Sequence, residues 1–391
     1  MIDHVNAKNS YVGSILRKIV SIVVEAGAEL HPSLLIVEKD GELSLHSSMP
    51  LKVKDYAQLC SLPRVLLLPT NGADWQICSE QLFLKRAPDS LSLIQEELLC
   101  LHVEIYNATC KIKNSSKHNL SQLVLERPEI LEAVQQIQPY RTFDLSLADQ
   151  FVSNRLCWID DVSTSAEHVE QINNSDSGEP GIFPIMDFLN NHHDAGNFEF
   201  DDYSVKMEIS RPNNTSECFL RYGGRRDVLD YALGMGYFDQ TSPYAHSAPF
   251  SAELNHLGAL QIESLLSRPK SRFDPPHVQF TDDGIRLSHF TCHLKKPNRS
   301  LLAFSLAIEG LSRRSGGTPS EAKELILLAK DALLQENLIR LEKLRSAANP
   351  YAIHCPSAQL LMDAARRQAN ILQVVLGSSS RKTINYTFPR D

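Results

Sequence analysis

The stretch GIFPIMDFLNNHHDAGNFEF, Gly181 to Phe200, sets a short apolar run against Asp187, Asn190, Asn191, His192, His193 and Asp194. Several chemistries compete for it. A metal site needs converging ligands, but adjacent residues on a strand or loop point apart, and no H-x-x-x-H pair or distant Cys/His set completes a shell. No metal is therefore expected. A serine nucleophile would need a G-x-S-x-G elbow and a dinucleotide a G-x-G-x-x-G after a strand, and the sequence carries neither. What remains is an apolar strand running into Asp187, Asn190 and Asn191, followed about thirty residues later by ECFLRYGGRRDVLDYALGMGYFD.

Composition bounds the rest. At 391 residues and 42% hydrophobic content the chain can bury a full core and is expected to hold two domains. A net charge of −8 argues against nucleic acid and anionic membranes as partners, since phosphate neutralisation needs a basic face. A cationic partner is easier to accommodate. Cys60, Cys78, Cys100, Cys110, Cys157, Cys218, Cys292 and Cys355 form no C-x-x-C pair, so reduced thiols are expected rather than a zinc cluster or disulfide framework. The N-terminus lacks a secretory pattern, and the apolar patch from Ile15 to Ala28 is broken by Arg17, Lys18 and Glu25. A cytoplasmic chain is the expectation.

Around the opening stretch, Ile15 to Gly27 reads as an amphipathic helix, and LLIVEK, LSLHS, LKVKDY and RVLLLP between Leu34 and Pro69 read as short strands. Residues from about 70 to 150 read as a helical insert. The span from Leu156 to Val205 holds no lysine or arginine, and its middle, about 159–180, reads as an acidic surface loop. Past Pro276, HVQFTDDGIRLSHFTCHL reads as a hairpin around an Asp-Gly turn, and three helical patterns follow, the last closed by Gly377. The expected class is α+β: a mostly β core over residues 1–250, interrupted by the helical insert, and an all-α domain over 251–391.

The two central segments resemble the C-terminal half of a SET-domain methyltransferase, of the branch that includes the Rubisco large-subunit lysine methyltransferase. Pro184, Asp187 and Asn190 fit its P-x-x-D-x-x-N-H segment, with Asn191 where that branch has histidine. Phe219, Leu220, Tyr222, Asp227, Gly236 and Tyr237 are similar to its strand, turn and helix, and FDLSLADQFVSNRLCW resembles its Ser-Arg helix, with Arg155 in the arginine position. LCSLPRVLLLP is similar to the step closing its N-terminal half. Counting back from Pro63 puts Ser44 and His46 where the branch has Gly-x-Gly, while one short gap would bring up Gly41 and Leu43. The resemblance implies a pseudoknotted core and a helical substrate-binding domain.

It also implies S-adenosyl-L-methionine as cofactor and a protein or peptide as substrate, docked through the SET cleft and the C-terminal helices. Cofactor contacts fall to Asn190, the backbone of Asn191, Arg155, Tyr222 and the lip at Ser44 and His46. Asp187, Met235 and Tyr237 would line the substrate channel, and Tyr222 would be catalytic. Each has a plainer reading: Arg155 as a surface charge, Asn190 as a turn residue, Asp187 as a strand-end cap and Tyr222 as a core ring. Methyl transfer to an amine needs alignment, dryness, and oxygen and π density around a sulfonium, which suits Tyr222. Lysine is the expected nucleophile, with histidine second because Met235 replaces an aromatic. A binding module without turnover and an enzyme with a small-molecule substrate remain as alternatives.

Overall fold

A computed structural model describes residues 2–49, 57–117, 119–143, 145–159, 179–213, 215–222, 226–263, 275–295 and 298–377. The strand expected over Leu51–Tyr56 and nearly all of the acidic loop lie outside them. The chain mixes helices and strands in an α+β arrangement with no closed barrel among the described residues. It divides into two compact units. The first comprises Met1–Ser121, Asp144–Gly223 and Leu233–Thr241, and the second Gln122–Phe143, Gly224–Ala232 and Ser242–Asp391.

In chain order the elements begin with β1 (Val5–Ala7), α1 (Ser10–Glu25), β2 (Glu29–Leu30), β3 (Leu34–Lys39), β4 (Glu42–Ser47), β5 (Gln58–Pro63) and β6 (Leu68–Pro69). Then come β7 (Asp74–Cys78), β8 (Gln81–Arg86), α2 (Leu93–Ala108), α3 (Lys111–Lys117), α4 (Leu120–Glu126), α5 (Pro128–Ile137) and α6 (Leu147–Ser153). The central region supplies β9 (Cys157–Ile159), β10 (Glu179–Ile182), β11 (Asn190–Asn191), β12 (Glu199–Phe200), β13 (Ser204–Glu208), β14 (Glu217–Leu220) and α7 (Val228–Met235). Last are β15 (Tyr244–His246), β16 (Phe250–Glu253), β17 (Ala259–Ile262), β18 (Val278–Thr281), β19 (Gly284–Leu287), β20 (Thr291–His293), α8 (Arg299–Arg314), α9 (Pro319–Ala348) and α10 (Pro356–Leu376).

The first unit is organised by a sheet of order β1-β3-β4-β14-β11, antiparallel in the middle and parallel at both ends. Alternation sorts its faces. Leu34, Ile36, Leu43, Leu45, Cys218 and Leu220 are buried in a core shared with Ile15, Leu16, Ile19 and Val23 of α1, while Leu35, Val37, Ser44, His46, Glu217 and Phe219 are only partly covered. α1 starts where the Asn9 side chain accepts the Tyr11 and Val12 amides. Sheets β12-β13-β5-β2 and β6-β10-β9 and the hairpin β7–β8, which adds Trp75 and Leu82, complete the strands around this core.

Three expectations need correction. The insert after residue 70 opens with the hairpin β7–β8 rather than a helix. Its two-residue turn uses Ser79 and Glu80 at φ of 50° and 59°, positions normally signalled by glycine or asparagine, so no turn motif betrayed it. RVLLLP is a strand only at Leu68–Pro69, because Arg64–Leu66 form a 3-10 turn and the Leu67 amide bonds the Arg64 carbonyl. The C-terminal region is not all-α. Strands β15–β20 precede its helices, the Asp-Gly hairpin β18–β19 being joined in parallel to β17, and runs of three or four residues are too short for periodicity to separate from loop.

In the second unit α9 packs against α5, α8 and α10. It is capped by Thr318, which with Glu321 forms a reciprocal capping box. Near its middle the buried Asn337 accepts the Ala248 amide at 2.8 Å and donates to Ser247 Oγ at 3.0 Å and the Leu333 carbonyl at 2.8 Å.

Candidate functional site

The stretch from Gly181 enters the first unit through a close approach. A side chain at Gly181 would meet Leu67 at 2.5 Å and the Leu68 carbonyl at 2.8 Å, so only glycine lets β10 lie on β6. Four residues on, Ile185 sits at φ 67° and ψ −50°, with the Met186 amide bonded to the Pro184 carbonyl at 2.7 Å. This γ-turn around a fully buried β-branched residue costs on the order of 1–3 kcal/mol. It swings the 3-10 turn Met186–Phe188 so that Asp187 faces inward.

Asp187 is met by the Tyr106 hydroxyl at 2.7 Å and lies 3.9 Å from Arg155 Nε, too long for a hydrogen bond. Arg155 follows α6, donates from Nη1 to the Phe151 carbonyl at 2.8 Å, and lays its guanidinium 3.6 Å from the Phe151 ring centre. Its Nε is buried without a hydrogen-bond partner. Burial pulls the Lys111 amine below the ordinary lysine value, and the Arg155 charge adds to it, while Asp187 and Glu42 oppose. His102, one turn before Tyr106 on α2, is pushed down by burial, with Asp187 opposing. Its Nδ1 faces the Leu98 carbonyl at 2.9 Å and so carries the proton, leaving a buried Nε2 lone pair with no partner.

The β11–β14 parallel pair supplies the second half. Asn190 pairs with Phe219 and shares the partly covered face with Ser44, His46 and Glu217, donating from Nδ2 to Glu217 Oε1 at 2.8 Å. His46 stands opposite Glu217, its ring held between Ser216 Oγ at 2.8 Å and Ser44 Oγ at 3.0 Å. Burial lowers the His46 pKa and the Glu217 charge works against it. Asn191, on the other side of its strand, donates to Asp239 Oδ2 at 2.8 Å and accepts the Tyr222 amide at 2.9 Å. The Tyr222 hydroxyl donates to the Leu189 carbonyl.

Of the residues expected from sequence, Ser44, His46 and Asn190 thus share one sheet face, Asn191 and Tyr222 are hydrogen-bonded, and Asp187 and Arg155 adjoin. Met235 and Tyr237 flank Gly236, whose φ of 70° ends α7, and Asp239, two residues further on, reaches Asn191. The expected lip is differently made. At Gly41, φ 82°, a side chain would meet Cys110 Sγ at 2.5 Å, and the Cys110 amide bonds the Gly41 carbonyl at 2.9 Å, so the space beside this glycine is taken by the start of α3. Tyr106, Glu217 and Asp239 were missed. Period-two counting from Phe219 could have found Glu217, but no spacing signals the other two.

His192, His193 and Asp194 do not point apart as expected. They form a turn, with the Ala195 amide on the His192 carbonyl, in which the two rings stack at 4.9 Å and ligand atoms come within 4.8 Å of one another. The Asp194 amide already donates to His192 Nδ1 at 3.1 Å, so the turn itself uses that lone pair.

Asp227, part of the family-like motif, belongs to a different cluster in the second unit. It caps α7, its Oδ1 accepting the Asp230 amide at 2.7 Å while the Asp227 amide returns to Asp230 Oδ2 at 3.3 Å. Asp227 Oδ2 takes the His246 amide at 3.0 Å and Gln368 Nε2 at 2.5 Å. Asp230 Oδ1 takes Arg141 Nη2 at 2.8 Å, and His246 Nε2 stands 3.6 Å from Oδ2. Burial raises the Asp227 carboxyl, the Asp230 charge adds to it, and His246 works against both. These bonds tie the segment after α5 to α7, β15 and α10.

No family model matches the chain, and no curated protein compared with it is similar at a significant level. Among the described residues no helix is long and apolar enough to cross a membrane.

Proposed function

We propose that this chain is an S-adenosylmethionine-dependent protein methyltransferase with a SET-like core, acting on a lysine side chain, with histidine as the second candidate. The observation that carries the reading is the arrangement of Tyr222. Its amide is held by Asn191 and its hydroxyl proton is placed on the Leu189 carbonyl, so the phenol is fixed from both ends beside β11. The segment that leaves β14 is bonded along the loop after β11, the His192 amide to the Leu220 carbonyl and the Arg221 amide to the Gly196 carbonyl, each at 3.0 Å. Those bonds fit a family pseudoknot, which belongs to this proposal.

The residues suit the cofactor's chemistry. Arg155 Nε is an unfilled buried donor of the kind a carboxylate takes, and Asn190 offers an amide beside Glu217 to a donor group. When bound, S-adenosylmethionine supplies an electrophilic methyl on a sulfonium. The chain's part is to align Tyr222 on that methyl, hold the carboxylate with Arg155, and draw a cationic side chain with the lysine-free, arginine-free span around Asp187. The substrate of this reading is a protein or peptide.

One observation favours a binding module without turnover, namely Cys110 filling the space beside Gly41. Calorimetry separates the two. Saturable heat with both S-adenosylmethionine and S-adenosylhomocysteine is the expected result, whereas no heat at millimolar ligand leaves only the binding module.

A further inference from the structure

The partly covered face of the five-stranded sheet contains an amide whose orientation is not its own choice. Asn190 and Glu217 are 2.8 Å apart, and an ionised carboxylate only accepts hydrogen bonds, so of the two ends of the amide only Nδ2 can face it. Oδ1 is then turned the other way, and it makes no hydrogen bond among the described residues. Glu217 is itself framed. It lies directly opposite His46 across the β4–β14 register, and that ring is fastened at both nitrogens by Ser44 and Ser216, so it cannot swing into the carboxylate's place. Backbone register sets the rest, since Asn190 pairs with Phe219, two residues along from Glu217 on the same face.

We infer that Glu217 is a positioning residue: it locks the Asn190 amide with its oxygen outward, as the acceptor for the ammonium group of a bound amino-acid-bearing ligand. The ligand's identity rests on the methyltransferase reading; the locked amide does not. Nothing in the packing needs Glu217 for stability, because its side chain is partly exposed and the sheet register is already carried by backbone pairing. A role limited to stability would move melting temperature, and it would not distinguish glutamine from alanine by ligand affinity.

The test uses the full chain and two readouts. In NMR the Asn190 side-chain amide protons exchange slowly in the wild type and in Glu217→Gln, which keeps an acceptor oxygen, and fast in Glu217→Ala. In calorimetry with S-adenosylmethionine and S-adenosylhomocysteine, Glu217→Gln stays within about threefold of wild-type Kd for both ligands, while Glu217→Ala and Asn190→Ala each weaken them about tenfold. The double alanine variant is no weaker than Asn190→Ala alone. If glutamine keeps slow amide exchange yet binds as poorly as alanine, the charge and not the orientation matters and the inference fails. Additive losses in the double variant, or fast exchange in the wild type, overturn it as well. A wild type that shows slow amide exchange but binds neither ligand removes the methyltransferase reading and the ligand assignment together, and leaves the locked amide standing.

Discussion

Two polar clusters of this chain use the same kinds of side chain and end in opposite states. In the second unit Asp227 and Asp230 have a donor on every carboxylate oxygen, from backbone amides, Arg141 and Gln368, and Gln368 Oε1 is left over. Around Asp187 in the first unit, Arg155 Nε and His102 Nε2 are buried with nothing to bond, and Ile185 holds a strained backbone beside them. Buried polar atoms are rarely left empty. A cluster that closes on itself works for the fold, and one that stays open keeps capacity for something else. A motif can therefore carry both kinds of residue, since Asp227 and Tyr222 come from one family-like segment.

The sharpest way to break this contrast is Asp230→Ala. It strands Arg141 beside an empty site and removes the reciprocal cap of α7, so a loss of about 3–5 kcal/mol is expected in chemical denaturation. A cost under about 1 kcal/mol would mean the closed cluster is not what holds these elements. Next in size is Tyr222→Phe, which keeps the ring and loses the oxygen. On the methyltransferase proposal, turnover on a lysine-bearing peptide pool should fall on the order of a hundredfold with little change in S-adenosylmethionine affinity, because there the oxygen would act in the transition state. Equal turnover would return Tyr222 to a core ring.

The smallest effect is a pH dependence. Burial depresses both His102 and His46 below the ordinary histidine value of 6.5, so the unfolded chain binds their protons more readily than the folded one. Their contribution to stability is complete above that value and is lost as pH falls through the lower folded values. Melting temperature should decline on acidification below 6.5, and His102→Leu should flatten that decline. An unchanged slope in the variant would show that the His102 lone pair is not the open group it is taken to be here.

Legibility followed the range of the interactions. The faces of β3 and β4 could be read from LLIVEK and LSLHS because alternation is local, and Asn191 and Tyr222, singled out together in sequence, are joined by a hydrogen bond. Asp239 meets Asn191 from 48 residues away and Tyr106 meets Asp187 from 81, and no window of sequence contains either pair. Ser79 and Glu80 hid a hairpin because their turn conformation is imposed by the strands they join. The stacking of His192 on His193 failed for a related reason: adjacent side chains diverge on a strand, and these two lie in a turn.

Asn337 has a consequence for how α9 finds its place. A helix of 30 residues with neighbours on several sides has no single greasy stripe to orient it, and sliding or rotating it by a turn would cover similar apolar surface. Such near-copies of the native arrangement are kinetic traps, because hydrophobic contact alone scarcely ranks them. One amide ranks them. In the wrong register its donor and acceptor are sealed in hydrocarbon, whereas in the right one they meet Ser247, Ala248 and Leu333. Asn337→Leu would then leave the chain folded but let α9 sample more than one alignment, which makes this asparagine a statement about uniqueness and not about strength.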